Sequence, residues 1–366
     1  MTLTDKTLFK LLALGLGQDI DFDIPLETID WPKVIRRAMT EGLDALAFDG
    51  VKALYERRPD LTEELDRSLG EDKIQWFSFS MQVEQDSQEY SDKLQKLASF
   101  YHREGFKMLV LKGYGLSLDY PTPSHRPTGD IDVYLFGRGM EADARIKETF
   151  DIDVSPEGTK HSRFVFHDLP VENHSSFLDV KGHRSQRPVE QYLEREALKS
   201  CEFMMGDAKI YVPTAMMNAV FLPCHTAAHF FYEGIPMKQL VDWAVFLDRH
   251  SSEVDWAVVR LLLEKAGCFE LVRTLNGIVV SRLGVSESIV PDWGRDTALE
   301  EKVWQDILLP RRELVGRNVW KKAKDLLASR WRYRLTYRES FGLYFLKRAW
   351  VNIRRGIPGS SNSLRG

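Results

Sequence analysis

Asp130-Ile131-Asp132 opens an apolar run, Val133-Tyr134-Leu135-Phe136, directly after Gly129. In a strand, side chains at i and i+2 face the same side, so the two carboxylates converge. Paired charges at the mouth of a strand that runs into a core are costly unless something compensates them. Upstream, Met108-Leu109-Val110-Leu111 is continuously apolar, as expected of a buried central strand, and ends in Lys112-Gly113. The connection between the two runs is turn-rich, with Pro121, Pro123 and Pro127. The stretch 107–136 thus demands a small sheet with acidic side chains gathered at one edge of its loops.

That pairing suits Mg²⁺ or Mn²⁺ held against a nucleotide. Phosphoryl transfer needs ions that neutralise the triphosphate and align the reacting oxygens, and Mg²⁺ takes hard oxygen ligands, commonly one or two carboxylates. Asp130 and Asp132 can flank one ion or bridge two. A third carboxylate is expected from a neighbouring strand. Glu172 is preferred over Asp179, because its strand follows a tight turn and can lie beside that of Asp132. Glu172 would ligate metal or take the acceptor's proton, and His174 shares its face by period two. Gly113, with Gly115, lets backbone N–H groups face phosphates at the start of a short helix from Leu116. Lys112 and Arg126 are candidates for the triphosphate itself. An isolated acidic pair is a weak signal, since such pairs are common in loops and caps; its position at a strand mouth strengthens it.

The flanks read differently. Thr4 and Asp5 are expected to cap a first helix, and Asp30 before Trp31-Pro32 a second. Further helices are expected from Ala45 to Tyr55 and from Glu71 to Arg103, the latter burying one stripe of Trp76, Phe79, Met81, Leu94, Leu97 and Tyr101. A helix over 139–150 links to a hairpin of Arg163–His167 and Val171–His174, joined at 168–170. Helical spacing returns over 214–232, 237–250, 255–266, 269–283 and 298–309. The expected organisation is a helical region over 1–105, an α+β core over 106–212, a helical region over 213–355 and a disordered tail over 356–366.

The chain has 366 residues, enough for two or three domains. From Pro310 to Gly366 there are fifteen Lys/Arg and three Asp/Glu, so this end carries +12 and, with a total of −4, the remainder carries −16. A basic end on an acidic body suits a polyanion, although the interleaved aromatic residues equally suit a packed helical region. Cys201, Cys224 and Cys268 are scattered and odd in number, which argues against a disulfide framework or a CxxC zinc site and fits a reducing cytoplasm. There is no signal-peptide pattern and no apolar run of about 18 residues, so a cytoplasmic location without a membrane span is expected.

Taken together, these motifs resemble the nucleotidyltransferase superfamily founded on the DNA polymerase β palm. They resemble more closely a bacterial family of uncharacterised nucleotidyltransferases. The shared features are Leu111-Lys112-Gly113, an Arg in the loop (Arg126), Gly129-Asp130-Ile131-Asp132, Val171-Glu172-Asn173-His174, then His225-x-x-x-His229 and Asp242-Trp243. The resemblance spans roughly 8–250 and implies an α+β fold, a small mixed sheet of palm type between helical regions. It implies Mg²⁺-dependent transfer of NMP from an NTP, ATP among them, to a hydroxyl of a small molecule, an RNA end or a protein. Asp130, Asp132 and Glu172 would be the catalytic and metal-ligating residues, and Lys112, Gly113, Arg126 and Gly129 the nucleotide contacts. His174, Asp179, His229, Lys238 and Asp242 are secondary candidates. The wider superfamily has Gly-Ser or Gly-Gly at the first turn; here it is Lys-Gly-Tyr-Gly, so triphosphate contacts would fall to Lys112 and Arg126. A catalytically inactive relative that binds nucleotide or RNA is the alternative. HTAAH lacks the glutamate of a zinc-protease motif, so packing or an interdomain hydrogen bond is expected of it. Lys238 and Asp242, at i and i+4, are expected to pair.

Overall fold

The computed structural model describes residues 1–157, 160–309, 327–344 and 346. Helices form where a cap precedes a periodic apolar stripe. In α1 (Leu3–Gly15) Thr2 and Asp5 form a reciprocal capping box, so the cap lies two residues before Thr4. Asp30 caps α2 (Trp31–Glu41), and Gly42, at φ 68°, ends it in the left-handed conformation. α3 (Asp44–Arg57), α4 (Thr62–Leu69) and the 32-residue α5 (Asp72–Arg103) follow. On α5, Trp76, Leu94, Leu97 and Tyr101 are buried but Met81 is exposed. Five residues from Trp76 turn the helix roughly 140° past a full circle, which takes Met81 off the stripe.

The chain then builds β1 (Leu109–Val110), α6 (Tyr114–Ser117), β2 (Ile131–Tyr134), α7 (Gly139–Phe150), β3 (Ser155–Glu157), β4 (His161–Phe166), β5 (Leu169–His174), α8 (Arg187–Ala197), β6 (Cys201–Met205) and β7 (Ala208–Val212). The seven strands form one mixed sheet in the order β3-β4-β5-β2-β1-β7-β6. β2 is antiparallel to β1 and parallel to β5, and β1 is parallel to β7. The β4–β5 hairpin turns on His167 and Asp168 alone, at φ 48° and 66°, as a two-residue primed turn requires. Leu169 and Pro170, expected in the connection, therefore belong to β5, opposite Phe166 and Val165. Neither α8 nor the β6–β7 hairpin was legible in the sequence.

The remaining helices are α9 (Ala215–Tyr232), α10 (Met237–His250), α11 (Trp256–Ala266), α12 (Phe269–Leu283), α13 (Thr297–Leu308) and the short α14 (Arg330–Arg334). Two cores result. One face of the sheet, with Val110, Ile131, Val133 and Val171, packs on Tyr90, Leu94 and Leu97 of α5 and Ile146 of α7. A larger core joins α1–α3 to α8–α13. Strand alternation then directs Asp130, Asp132 and Glu172 away from the α5–α7 core.

Much of the basic C-terminal stretch, and all of the tail expected to be disordered, lies outside the described residues. Within them, Arg332 is buried and paired to Asp306, and Tyr333 and Tyr337 pack on Phe231. That part of the stretch is core. No described helix is long and apolar enough to cross a membrane.

Candidate active site

Parallel pairing of β2 and β5 sets Asp132 directly beside Glu172 and Tyr134 beside His174. Asp130, Asp132 and Glu172 each offer a carboxylate oxygen, and these oxygens lie within 4.8 Å of one another. Glu172 is thereby the carboxylate that the fold sets beside the pair. Asp179 lies past β5 and instead accepts a hydrogen bond from the Gly182 N–H, 3.0 Å away.

Asp132 is the buried member, 3% exposed. Its Oδ2 accepts from Lys112 Nζ at 2.9 Å and its Oδ1 lies 2.9 Å from His174 Nε2. Burial works to raise the Asp132 pKa, but the Lys112 charge and the His174 hydrogen bond prevail and hold the carboxyl well below its ordinary range. Burial depresses His174 in turn, against the pull of Asp132.

β1 delivers Lys112 to the cleft, and Gly113, at φ 53°, turns the chain into α6. A Cβ at Gly113 would stand 2.6 Å from Tyr90 Oη, so both backbone and space require glycine. Gly129 is different: the nearest atom to a Cβ there would be Lys238 Nζ, 3.9 Å away, so the protein itself does not force its small size.

α9 and α10 form the opposite wall. The cleft is lined by Lys112, Gly113, Arg126, Gly129, Asp130 and Asp132 on one side, and by His225, His229, Lys238 and Asp242 on the other. The helical histidines reach into it. His225 Nε2 lies 3.2 Å from Lys112 Nζ and 3.1 Å from His229 Nε2. Burial, then Lys112 and His229, keep His225 far below its ordinary pKa and so neutral.

Arg126 has a protein partner that the sequence did not suggest. Arg126 is buried and bidentate on Asp242, Nε to Oδ1 at 2.9 Å and Nη2 to Oδ2 at 3.0 Å. Its Nη1 reaches the Pro127 carbonyl at 3.3 Å, so the guanidinium is engaged by protein and holds the loop to α10. A planar guanidinium matches both carboxylate oxygens of Asp242. Sequence reasoning missed Tyr120, which donates to Asp242 Oδ1 at 2.7 Å, and His161, which faces Glu172 across β4 and β5. The apolar alternation of β4 was the available signal for His161.

The profile of a family described as uncharacterised nucleotidyltransferase matches residues 27–284. The chain belongs to the uncharacterised nucleotidyltransferase family. No curated protein matches it. Among solved structures it is similar to an antigenic nucleotidyltransferase-like protein from Paracoccidioides brasiliensis, at 12% identity and a TM-score of 0.34, covering 54% of this chain and 92% of that one.

Proposed function

We propose that the chain is a metal-dependent nucleotidyltransferase, moving NMP from an NTP to a hydroxyl and releasing pyrophosphate. Family membership supports a general role in nucleotidyl transfer. The observation that carries the finer reading is the convergence of Asp130, Asp132 and Glu172 on one face of the mixed sheet, with Asp130 and Asp132 lining a cleft. Three hard oxygen donors fit Mg²⁺ or Mn²⁺. Bound by these carboxylates, such an ion would neutralise phosphate charge in the transition state.

The chain's own groups supply the rest. Lys112, already an ammonium in the cleft, is placed to bind a phosphate oxygen as a point charge. Glu172 is less buried than Asp132, with side-chain exposures of 18% and 2%, and is the carboxylate better placed to accept the acceptor's proton. The Arg126–Asp242 clamp holds the loop that carries Gly129 and Asp130 against α10. Lys238, beside Gly129, adds positive charge for the nucleotide. The acceptor is a small molecule, an RNA end or a protein side chain.

One observation favours a second reading, a non-catalytic nucleotide binder. Lys112 Nζ, the candidate phosphate contact, is engaged by Asp132 Oδ2 at 2.9 Å. Pyrophosphate release from each NTP, with Mg²⁺ or Mn²⁺ and pools of small-molecule, RNA and protein acceptors, separates the two. The enzyme reading expects release by wild type and a loss of at least 100-fold in Asp130→Asn and Asp132→Asn. Equal Mg·NTP binding by wild type and the double variant, with no release by either, sinks it.

A further inference from the structure

Beyond the carboxylates, the same face of the sheet carries a cluster of different chemistry. His161 of β4 and His174 of β5 are direct cross-strand partners. Glu172, two residues before His174, shares their face. His161 Nε2 lies 3.7 Å from Glu172 Oε2, and His174 Nε2 lies 3.8 Å from the same oxygen. Those separations are too long for hydrogen bonds. They are close to the roughly 3.4 Å between neighbouring ligand atoms around one tetrahedral ion with bonds of about 2.1 Å. All three ligand atoms lie within 4.8 Å of one another.

His174 adds a second observation. It is 2% exposed, and its Nδ1 has no hydrogen-bond partner among the described residues. Its Nε2 faces two carboxylates, Asp132 and Glu172. An ion taken by Nε2 moves the ring proton to Nδ1, which no described group engages, and exchanges the Asp132 hydrogen bond for the metal.

We propose that His161, Glu172 and His174 form a second divalent-cation site, for a borderline transition ion of the Zn²⁺ class, sharing Glu172 with the Asp130–Asp132 face. Two imidazoles and one carboxylate are a donor set of zinc enzymes with an open position, and imidazole disfavours Mg²⁺. The cations on this face are Lys160, which Asp132, Glu172 and Asp179 attract, Lys112, paired to Asp132, and Arg163, the cross-strand partner of Glu172. The four carboxylates of Asp130, Asp132, Glu172 and Asp179 outnumber these three. His161 and Glu172 are 17% and 18% exposed, which leaves an entry path.

The site stands on this cluster and not on nucleotidyl transfer, so its test uses no nucleotide. The metal-stripped full chain is titrated with Zn²⁺ against a chromophoric chelator, and with Co²⁺ while visible absorption is recorded. One tight equivalent of Zn²⁺ and d–d bands of nitrogen-ligated Co²⁺ are expected. His161→Ala should weaken Zn²⁺ at least tenfold and abolish the bands; His161→Gln, which keeps the bulk, should do the same if the alanine variant unfolds. Asp130→Asn should keep tight Zn²⁺ binding. Zn²⁺ affinity in the folded His161 variant equal to wild type, or no tight equivalent in wild type, overturns the proposal. An inactive protein that still binds Zn²⁺ in this way would refute only the transferase reading.

Discussion

Lys112 Nζ lies 2.9 Å from Asp132 Oδ2, an ammonium set against the most buried carboxylate of the cleft. The pair explains how the buried strand-mouth charge is compensated by the protein's own groups. It also makes Lys112 and a metal ion alternative partners for one oxygen.

Lys112→Met should therefore destabilise the metal-free protein by about 3 kcal/mol, since it leaves a buried charge unpaired. Millimolar Mg²⁺ should restore part of the loss, as read from urea unfolding with and without the ion. The pH dependence follows from the depressed Asp132 pKa. A depressed carboxylate stabilises the fold above its unfolded pKa of about 3.9, and the benefit is lost as pH falls through the folded value. In Lys112→Met the acid-unfolding midpoint should move to higher pH. No change in stability or acid midpoint would show that the pair contributes nothing.

The Arg126–Asp242 clamp joins a loop to a helix 116 residues later. Arg126→Met and Asp242→Leu should each cost about 3–5 kcal/mol, because each strands the partner's buried charge. The double variant should cost clearly less than the sum. Tyr120→Phe, which removes one donor to the same carboxylate, should cost about 1 kcal/mol. Thermal and urea unfolding of the four variants measure the coupling, and strict additivity would contradict it.

Gly113→Ala combines a left-handed φ of 53° with a Cβ 2.6 Å from Tyr90 Oη. A loss of about 2 kcal/mol is expected. Tyr90→Phe removes the oxygen but not the backbone strain, so in that background the alanine should cost less without becoming neutral. A double-mutant cycle of unfolding free energies checks this.

His250, away from the cleft, bonds Asp119 at 2.9 Å and Glu253 at 2.7 Å. The Asp119 hydrogen bond, against burial and with help from Glu253, raises its pKa to about 9. A histidine raised on folding stabilises fully below its unfolded pKa of about 6.5, and that contribution disappears as pH rises through the folded value. Unfolding free energy should fall by about 1–2 kcal/mol between these limits, a figure reduced for partial exposure. His250→Gln should flatten that slope.

Local physics made much of this chain legible. Asp30 before Trp31-Pro32, Thr214 before Ala215 and Gly267 after Ala266 each bound a helix where caps and breakers place them, because capping is decided within four residues. The strand under Asp130-Ile131-Asp132 and the start of the β4–β5 hairpin follow from alternation and turn chemistry in the same way. The β6–β7 hairpin did not: Cys201, Glu202 and Met204 are exposed, so little apolar alternation marks it, and pairing with β1 brings it into the sheet.

By itself, then, the sequence determined most of the helices, though not α4 or α8, together with the acidic strand mouth and the glycine turn, all properties of neighbouring residues. Only the tertiary structure decided the partners. Register between β2 and β5 chose Glu172 over Asp179 and added His161. Packing of α10 on the loop gave Asp242 to Arg126 and left Lys112 to Asp132. A charge buried far along the chain takes whichever partner the fold brings within about 3 Å with matching geometry, and sequence distance carries no information about that.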